Sequence, residues 1–274
     1  MRLEIVLSLY LLGSLPCKNC DGHVPSKRII DGRVALKGEF PYQVALVMQN
    51  GKGHLCGGAI LDEDTILTAA HCFMTMGPWP MLYAIAIGKL VVSWRKDENY
   101  YKVKAIRVHP NYHMRPGVIM PDDVAVVKLE KKIIFTDEIK PIELPKTRKD
   151  MPKIGTECVI AGFGALPGGL MAQQLMYAEM NIARIGECIN FYSTIGSPIP
   201  SPHTRLCVNG QRWRNVCSGD AGGPLACKRP DGRLVVDGIV SYGIGCNTPP
   251  PSQSPTIFTR VSSFLRWIEQ NRLM

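Results

Sequence analysis

The sequence contains no apolar run long enough to cross a lipid bilayer, either at its N-terminus or later. The N-terminal apolar stretch from Ile5 to Leu12 is interrupted by Ser8 and Tyr10, and it follows a positive charge at Arg2. A membrane helix needs about 20 apolar residues, whereas a secretory signal needs only a shorter apolar segment after a basic start. We therefore predict a signal peptide over residues 1–16, an extracellular, secreted location and no membrane span.

Acidic residues are few relative to basic ones, with 23 Asp and Glu against 32 Lys and Arg and a formal net charge of +9. The basic residues form no block long enough to resemble a nucleic-acid-binding arm. Their excess either favours anionic partners, such as a sulfated glycan, or only maintains solubility. We predict no nucleic-acid partner and keep an anionic glycan as a candidate ligand.

The sequence also lacks a metal-binding pattern, an internal repeat and an Asn-x-Ser/Thr glycosylation site. The pair Cys17 and Cys20 forms a Cys-x-x-Cys, but no second close pair of Cys or His answers it, as a zinc site would require. Ten cysteines in total indicate an oxidising compartment and disulfide bonds. We predict no metal and no cofactor.

Glycine, proline and apolar residues are abundant, with 26 Gly, 21 Pro and 46% apolar residues. This composition supports a sizeable core and a turn-rich β fold. Short β-rich runs recur between turns, which predicts an antiparallel sandwich or barrel. Examples of these runs are Gln43–Val47, Ala59–Leu67, Met81–Ile87, Tyr101–Val108, Val124–Leu129, Glu157–Ala161, Leu234–Tyr242 and Thr256–Val261.

Two later stretches differ from this pattern. Residues 141–152 are polar and punctuated by proline, and we place the boundary between two halves of the chain there. Near the C-terminus, a capping serine is followed by apolar residues at helical spacing, which predicts a helix over residues 262–272.

Three short segments carry residues with catalytic character. LTAAHC places His71 at the end of an apolar strand, and PDDVAVVKL places Asp123 at the head of another. A Gly-Asp-x-Gly-Gly-Pro frame normally presents a nucleophile at x, and here that position is Ala221. Either His71 or Asp123 alone would more often be structural, but three such segments in this order indicate one active site.

With these motifs, the chain resembles a chymotrypsin/trypsin-like serine protease zymogen from Ile29 to the C-terminus. The resemblance implies an all-β fold of two six-stranded antiparallel β-barrels, a C-terminal helix and an active site in the cleft between the barrels. It implies a protease domain over residues 29–274, with the first barrel over about 29–145 and the second over about 150–260.

The resemblance also assigns roles to residues. His71 becomes the general base, Asp123 the carboxylate that orients it, and Ser241 a hydrogen-bond donor to that carboxylate. Asp123 is preferred to Asp122 because it directly precedes the Val-Ala-Val-Val strand. The implied disulfides are Cys56–Cys72, Cys158–Cys227, Cys188–Cys207 and Cys217–Cys246, which leaves Cys17 and Cys20 over.

A basic pair ending at Arg28 precedes a β-branched pair, which is typical of an exposed cleavage site after a propeptide over residues 17–28. The resemblance implies that an activating protease cleaves after Arg28 and that the freed amine of Ile29 pairs with Asp220. That pairing would order the backbone N–H groups of Gly219 and Ala221 into an oxyanion hole, which requires no side chain at position 221.

The implied specificity pocket differs from that of a trypsin-like enzyme. Its base is Asn215, which lacks the full charge needed to pair with a substrate lysine or arginine. One wall matches Gly243, and the other is Thr256, where a β-branched side chain would enter space that glycine leaves open.

The leading hypothesis is therefore a secreted, catalytically inactive serine protease homologue that binds a protein or peptide as a decoy, cofactor or regulator of proteolysis. The alternative is an active serine endopeptidase, a zymogen cleaved after Arg28, whose serine was replaced experimentally by Ala221. A purely structural or glycan-binding module is a third hypothesis.

Overall fold

The computed structural model describes residues 32–49, 53–91, 100–113, 119–165, 170–209, 216–244 and 254–273. The strands in these ranges are β1 Arg33–Val34, β2 Gln43–Met48, β3 His54–Ile60, β4 Thr65–Thr68, β5 Tyr83–Ile87, β6 Tyr101–Val108, β7 Ala125–Leu129, β8 Glu157–Gly162, β9 Met176–Ala183, β10 Arg205–Asn209, β11 Pro224–Lys228, β12 Leu234–Tyr242 and β13 Thr256–Arg260. The α-helices are α1 Ile185–Thr194 and α2 Leu265–Arg272. The predicted signal peptide, the propeptide, Arg28, Ile29, Asn215, Cys17, Cys20 and Cys246 lie outside the described residues.

The first half of the chain forms a closed six-stranded antiparallel barrel in the order β2-β3-β4-β7-β6-β5. Its strands are rich in Val, Ile and Ala, residues that fit a pleated surface buried on one side or both. The interior is filled by large apolar side chains, among them Leu46, Ile60, Ile66, Phe73 and Tyr83. Closure of the barrel leaves it without an exposed edge strand.

The second half forms another closed antiparallel barrel, because β8 pairs with β9 and completes the order β9-β10-β13-β12-β11-β8. Its core includes Met176, Met180, Leu206, Leu225 and Phe258. The expected fold of two six-stranded antiparallel barrels and a C-terminal helix is thus confirmed.

The structure corrects four expectations about the strands and helices. The predicted strand Ala59–Leu67 is a hairpin, in which β3 and β4 are joined by the turn at Leu61–Asp64. Residues 33–34, predicted within the first barrel, pair as β1 with β9 of the second. Helix α2 begins at Leu265 after a 3₁₀ turn, and no serine caps it, since its N-cap residue is Phe264. Helix α1 was not predicted.

Helix α1 has a sequence that discourages helix prediction, because IGECINFYST contains glycine and several β-branched or aromatic residues. Tertiary contacts stabilise it instead. Cys188 and Tyr192 are buried, and Cys188 is disulfide-bonded to Cys207 of β10. At its start, the backbone N–H of Arg184 donates to the Glu187 carboxylate at 3.2 Å.

The disulfides Cys56–Cys72, Cys158–Cys227 and Cys188–Cys207 are formed, as the resemblance implied. Cys217 is also disulfide-bonded. Each bridge of this kind typically contributes about 2–4 kcal/mol to stability.

The two barrels approach each other closely behind the cleft. A Cβ added to Gly57 of β3 would lie 2.9 Å from the Cα atom of Gly223, which precedes β11. The Gly57 N–H donates to the carbonyl oxygen of Ala221 at 2.7 Å. A glycine at position 57 is therefore required for this backbone approach, and the approach fixes Ala221 against the first barrel.

Helix α2 follows the second barrel in sequence but attaches to the first. The buried ammonium group of Lys128 in β7 donates to Asp64 Oδ1 at 2.5 Å, to Thr65 Oγ1 at 2.9 Å and to the carbonyl oxygen of Arg272 at 2.8 Å. The Arg272 side chain donates in turn to Asp62 Oδ2 at 2.5 Å.

Among the helices of the described residues, none is long and apolar enough to cross a membrane.

Replacement of Lys128 by Met is expected to lower the free energy of unfolding by about 2 kcal/mol. It removes the buried ammonium group and with it the charge-assisted hydrogen bonds to Asp64, Thr65 and Arg272. Urea denaturation measures the change. The matched control is Lys140→Met, which removes an exposed pair with Asp137 and should change stability by less than about 0.5 kcal/mol. Equal effects of the two substitutions would contradict the anchoring role of Lys128.

Candidate active site

His71 lies immediately after β4, in a 3₁₀ turn over Ala70–Phe73. The disulfide from the adjacent Cys72 to Cys56 ties this turn to β3. His71 contacts Asp123 twice: its backbone N–H donates to Oδ1 at 2.9 Å, and its ring Nδ1 donates to Oδ2 at 2.8 Å. The ring is thus fixed with Nδ1 toward the carboxylate, which leaves Nε2 for another partner.

Asp123 precedes β7 and is 2% exposed. Ser241 of β12 donates to its Oδ2 at 2.6 Å, and Thr259 of β13 donates to its backbone carbonyl at 2.9 Å. Asp122 instead interacts with Asn111 and lies 3.7 Å from His109. Of the two neighbouring aspartates, Asp123 is therefore the one placed beside His71.

The electrostatics of this pair follow from burial and proximity. Burial by itself lowers the pKa of His71, but the charge and hydrogen bond of Asp123 outweigh burial and raise it above its usual value. Burial by itself raises the pKa of Asp123, but the charge and hydrogen bonds of His71 and the hydrogen bond from Ser241 outweigh burial and lower it. This arrangement keeps Asp123 ionised and makes the Nε2 atom of His71 a stronger base.

Ala221, the residue expected at the nucleophile position, packs its side chain against the core of the first barrel. Its methyl group offers neither an oxygen nor a sulfur atom. Within the described ranges, neither the Gly219 N–H nor the Ala221 N–H donates to a backbone carbonyl. Gly219 has φ +97, a conformation that favours glycine, and its carbonyl oxygen accepts a hydrogen bond from His54 Nε2 at 2.7 Å.

The Asp220 side chain lies in a buried cradle. The N–H of Gly164 donates to its Oδ1 and the N–H of Cys217 to its Oδ2, both at 2.9 Å. A Cβ atom at Gly162 or at Gly164 would overlap the carboxylate. Burial raises the pKa of Asp220 to about 6, which the two N–H donors only partly offset. This carboxylate therefore lacks a charged partner among the described residues.

The predicted pocket walls lie next to each other. A Cβ added to Gly243 would lie 3.2 Å from Val216 Cγ2 and 3.5 Å from Thr256 Oγ1. Thr256 is buried at the start of β13. The side chains of Val216 and Thr256 therefore occupy the space beside Gly243.

One cluster of potential metal ligands involves His71 itself. Its ring nitrogen lies within 4.8 Å of the sulfur atoms of Cys56 and Cys72. Both sulfurs are used in a disulfide bond, so they cannot act as thiolate ligands.

Comparison with known proteins agrees with this geometry. The family described as Trypsin matches residues 29–268. The chain belongs to the trypsin family. It is 37% identical over 246 residues to transmembrane protease serine 9 of Rattus norvegicus, an alignment covering 89% of this chain but 22% of that protein. It is 31% identical to chymotrypsin-C of Bos taurus, covering 89% of each chain. It is 32% identical to chymotrypsin-like elastase family member 3B of Macaca mulatta, covering 90% of this chain and 94% of that protein.

Two residues near the trypsin-family site were not predicted from the sequence. His54 donates to the loop carbonyl at Gly219, and burial lowers its pKa to about 4, only partly offset by that hydrogen bond. Arg205 is 2% exposed and donates to Ser241 and Thr259. A sequence signal existed only for Arg205, because it is a charged residue directly before three apolar residues in the strand RLCVN.

We expect cleavage after Arg28 to stabilise the protein in a pH-dependent way. In the intact chain the pKa of Asp220 is about 6, above its usual 3.8. Asp220 therefore reduces stability as pH rises from about 4 to 6, by about 3 kcal/mol in total, and the loss persists at higher pH. An ammonium partner at Ile29 would remove this loss, so the cleaved chain should gain stability over the intact one as pH rises.

Urea denaturation of intact and cleaved protein at pH 4.5 and pH 7.5 measures the difference. Arg28→Gln, treated with the same activating protease, provides the uncleaved control. A cleavage-dependent gain that is the same at both pH values would contradict the assigned role of Asp220.

Proposed function

We propose that this chain is a secreted, catalytically inactive member of the trypsin family that binds a protein or peptide through its cleft. The observation that carries the proposal is Ala221 at the nucleophile position, beside an intact His71–Asp123–Ser241 hydrogen-bond system. Its roles would be those of a decoy, a cofactor or a regulator of proteolysis.

The missing hydroxyl closes the acyl-enzyme route, because no covalent bond can form between a methyl group and a peptide carbonyl. Loss of a triad serine lowers turnover by about 10⁶-fold, or roughly 8 kcal/mol of activation free energy. A water molecule activated by His71 would give only trace hydrolysis.

A neighbouring serine does not replace the lost group. Ser218 is exposed, and its carbonyl oxygen accepts a hydrogen bond from Ala165 N–H at 2.7 Å. Moving Ser218 to the position of Ala221 would break this bond and rearrange the Asp220 cradle. The loop therefore favours loss of chemistry over relocation of the nucleophile.

The narrowed pocket supports a changed ligand preference. Thr256 and Val216 crowd Gly243, and Asn215, the expected residue at the pocket base, brings no full charge to attract lysine or arginine. A protein or peptide ligand would therefore present a small side chain to this pocket. The net charge of +9 keeps an anionic glycan as a candidate second ligand.

Secretion and activation belong to the same proposal. The expected signal peptide and the disulfides fit an oxidising extracellular environment. An activating protease acting at Arg28 would expose the Ile29 amine, and the buried Asp220 supplies the carboxylate that this amine requires. Cleavage would then control the binding conformation of the cleft instead of a reaction rate.

The test is to cleave the protein after Arg28 and treat it with an active-site-directed fluorophosphonate and a broad peptide library. We expect no covalent labelling and only trace turnover. Ala221→Ser is the informative variant, and Ala221→Ser/His71→Ala is its matched control. Labelling or serine-level turnover of the unaltered chain would refute inactivity, and a robust Ala221→Ser enzyme would instead favour an experimentally replaced serine.

The pocket prediction can be checked without catalysis. Thr256→Gly is expected to bind indole, a small aromatic probe, at least about tenfold more tightly than the unaltered chain, because it frees space for an apolar group. NMR titration measures the affinity. Thr136→Gly, at an exposed turn, is the control and should change nothing. Equal indole binding by the unaltered chain and Thr256→Gly would show that Thr256 does not close the pocket.

A further inference from the structure

A buried arginine lies behind the catalytic aspartate. Arg205 of β10 is 2% exposed, and its Nη1 donates to Ser241 Oγ at 3.3 Å and to Thr259 Oγ1 at 3.2 Å. Its Nη2 donates to the Met120 carbonyl oxygen. No carboxylate in the described ranges forms a direct salt bridge with Arg205, and its Nε has no hydrogen-bond partner there.

The two hydroxyl groups connect Arg205 to Asp123. Ser241 accepts from Arg205 and donates to Asp123 Oδ2 at 2.6 Å, while Thr259 accepts from Arg205 and donates to the Asp123 carbonyl at 2.9 Å. The guanidinium therefore reaches the buried Asp123 through two hydroxyl groups, while the imidazole of His71 contacts its carboxylate directly. Both hydroxyls are oriented by the same cation.

We propose that Arg205 is a positioning residue that holds Asp123 as its counter-ion and thereby opposes protonation of His71. This inference deepens the proposed loss of catalysis and rests on it only for its activity test. It means that the chain carries a second impediment besides Ala221. Restoring the serine alone would leave His71 a weaker base than it would be without Arg205.

Charge counting supports the proposal. Neutral His71, ionised Asp123 and charged Arg205 sum to zero, whereas a proton on His71 would place two cations beside one buried carboxylate. Buried charges of like sign disfavour each other. Burial lowers the pKa of His71, but Asp123 more than compensates, so that pKa lies above its usual value. The proposal is that this rise would be larger without Arg205.

Other charged and titratable groups around the site do not cancel this effect. Asp122 and Tyr112 interact electrostatically with Arg205, as does Asp123. Asp122 is partly exposed and already lies near Asn111 and His109. Tyr112 is buried, and burial together with the Asp123 charge raises its pKa above its usual range, so it remains neutral. Arg205 is therefore the additional permanent cation facing the pair among the described residues.

The primary test is an NMR titration of the His71 imidazole, assigned with His71→Gln. Arg205→Gln keeps hydrogen-bond donors and removes the charge, and we expect it to raise the pKa of His71 by about one unit. Arg205→Lys keeps the charge and should leave that pKa within about 0.3 of the original. Arg229→Gln removes a second largely buried arginine, one that pairs with Asp237 and Asp150, and should leave the His71 pKa unchanged.

Two outcomes would overturn the proposal. One is an unchanged His71 pKa in Arg205→Gln; the other is an equal shift in Arg205→Gln and Arg205→Lys. Arg205→Met provides a second neutral variant, because apolar replacement of a buried charge is often tolerated. If neither neutral variant folds while Arg205→Lys does, Arg205 has a structural role and the proposal fails.

The activity arm compares Ala221→Ser with Ala221→Ser/Arg205→Met. We expect the double variant to have a kcat/KM about tenfold higher than that of Ala221→Ser. The gain should lie in kcat, with KM unchanged, since the imidazolium forms only during the reaction. A robust Ala221→Ser enzyme would refute the proposed inactivity of the native site but would leave the titration to decide the role of Arg205. No gain in the double variant would contradict the second impediment.

Discussion

The structure of the cleft depends on one buried carboxylate. Asp123 belongs to the first barrel, yet Ser241 and Thr259, which donate to its side chain and backbone, belong to the second. A buried charge without such donors would be strongly unfavourable. Asp123 therefore joins the barrels as well as orienting His71. This explains how the His71–Asp123 pair can persist beside Ala221. Loss of His71 would take a partner away from the buried charge of Asp123, whether or not any reaction takes place.

The second buried carboxylate, Asp220, shows the same constraint in a different state. Two N–H groups donate to it, and no cationic side chain of the described residues pairs with it. Glycines at positions 162 and 164 leave room for it, because any side chain there would overlap its oxygens. The cleft thus contains one carboxylate whose partners are complete and one that is prepared for a charged partner. The former connects the two barrels, and the latter would make the loop around Ala221 sensitive to the cleavage proposed after Arg28.

Sequence motifs predicted the site better than the elements that support it. His71, Asp123 and Ala221 stand in short segments with distinctive neighbours, so their roles could be inferred without knowing the fold. The hairpin of β3 and β4 was read as one strand because its short turn, LDED, interrupts a β-rich run only briefly. Helix α1 was missed because its disulfide and buried Tyr192 stabilise a sequence with low helix propensity. Arg205 could not be related to Asp123 from sequence, since 82 residues separate them and only barrel closure brings them together.

The attachment of the chain ends has a consequence for how the protein can be assembled. Strand β1 comes from the N-terminal side but pairs with the second barrel, and α2 comes last but is held by Lys128 of the first. Each barrel is thus completed by residues from the far end of the sequence. A ribosome that has released only the first barrel has produced a unit whose buried Lys128 still lacks its third acceptor. The first barrel can therefore complete its contacts only after residue 272 has been synthesised, and neither barrel forms all its contacts within one continuous fragment.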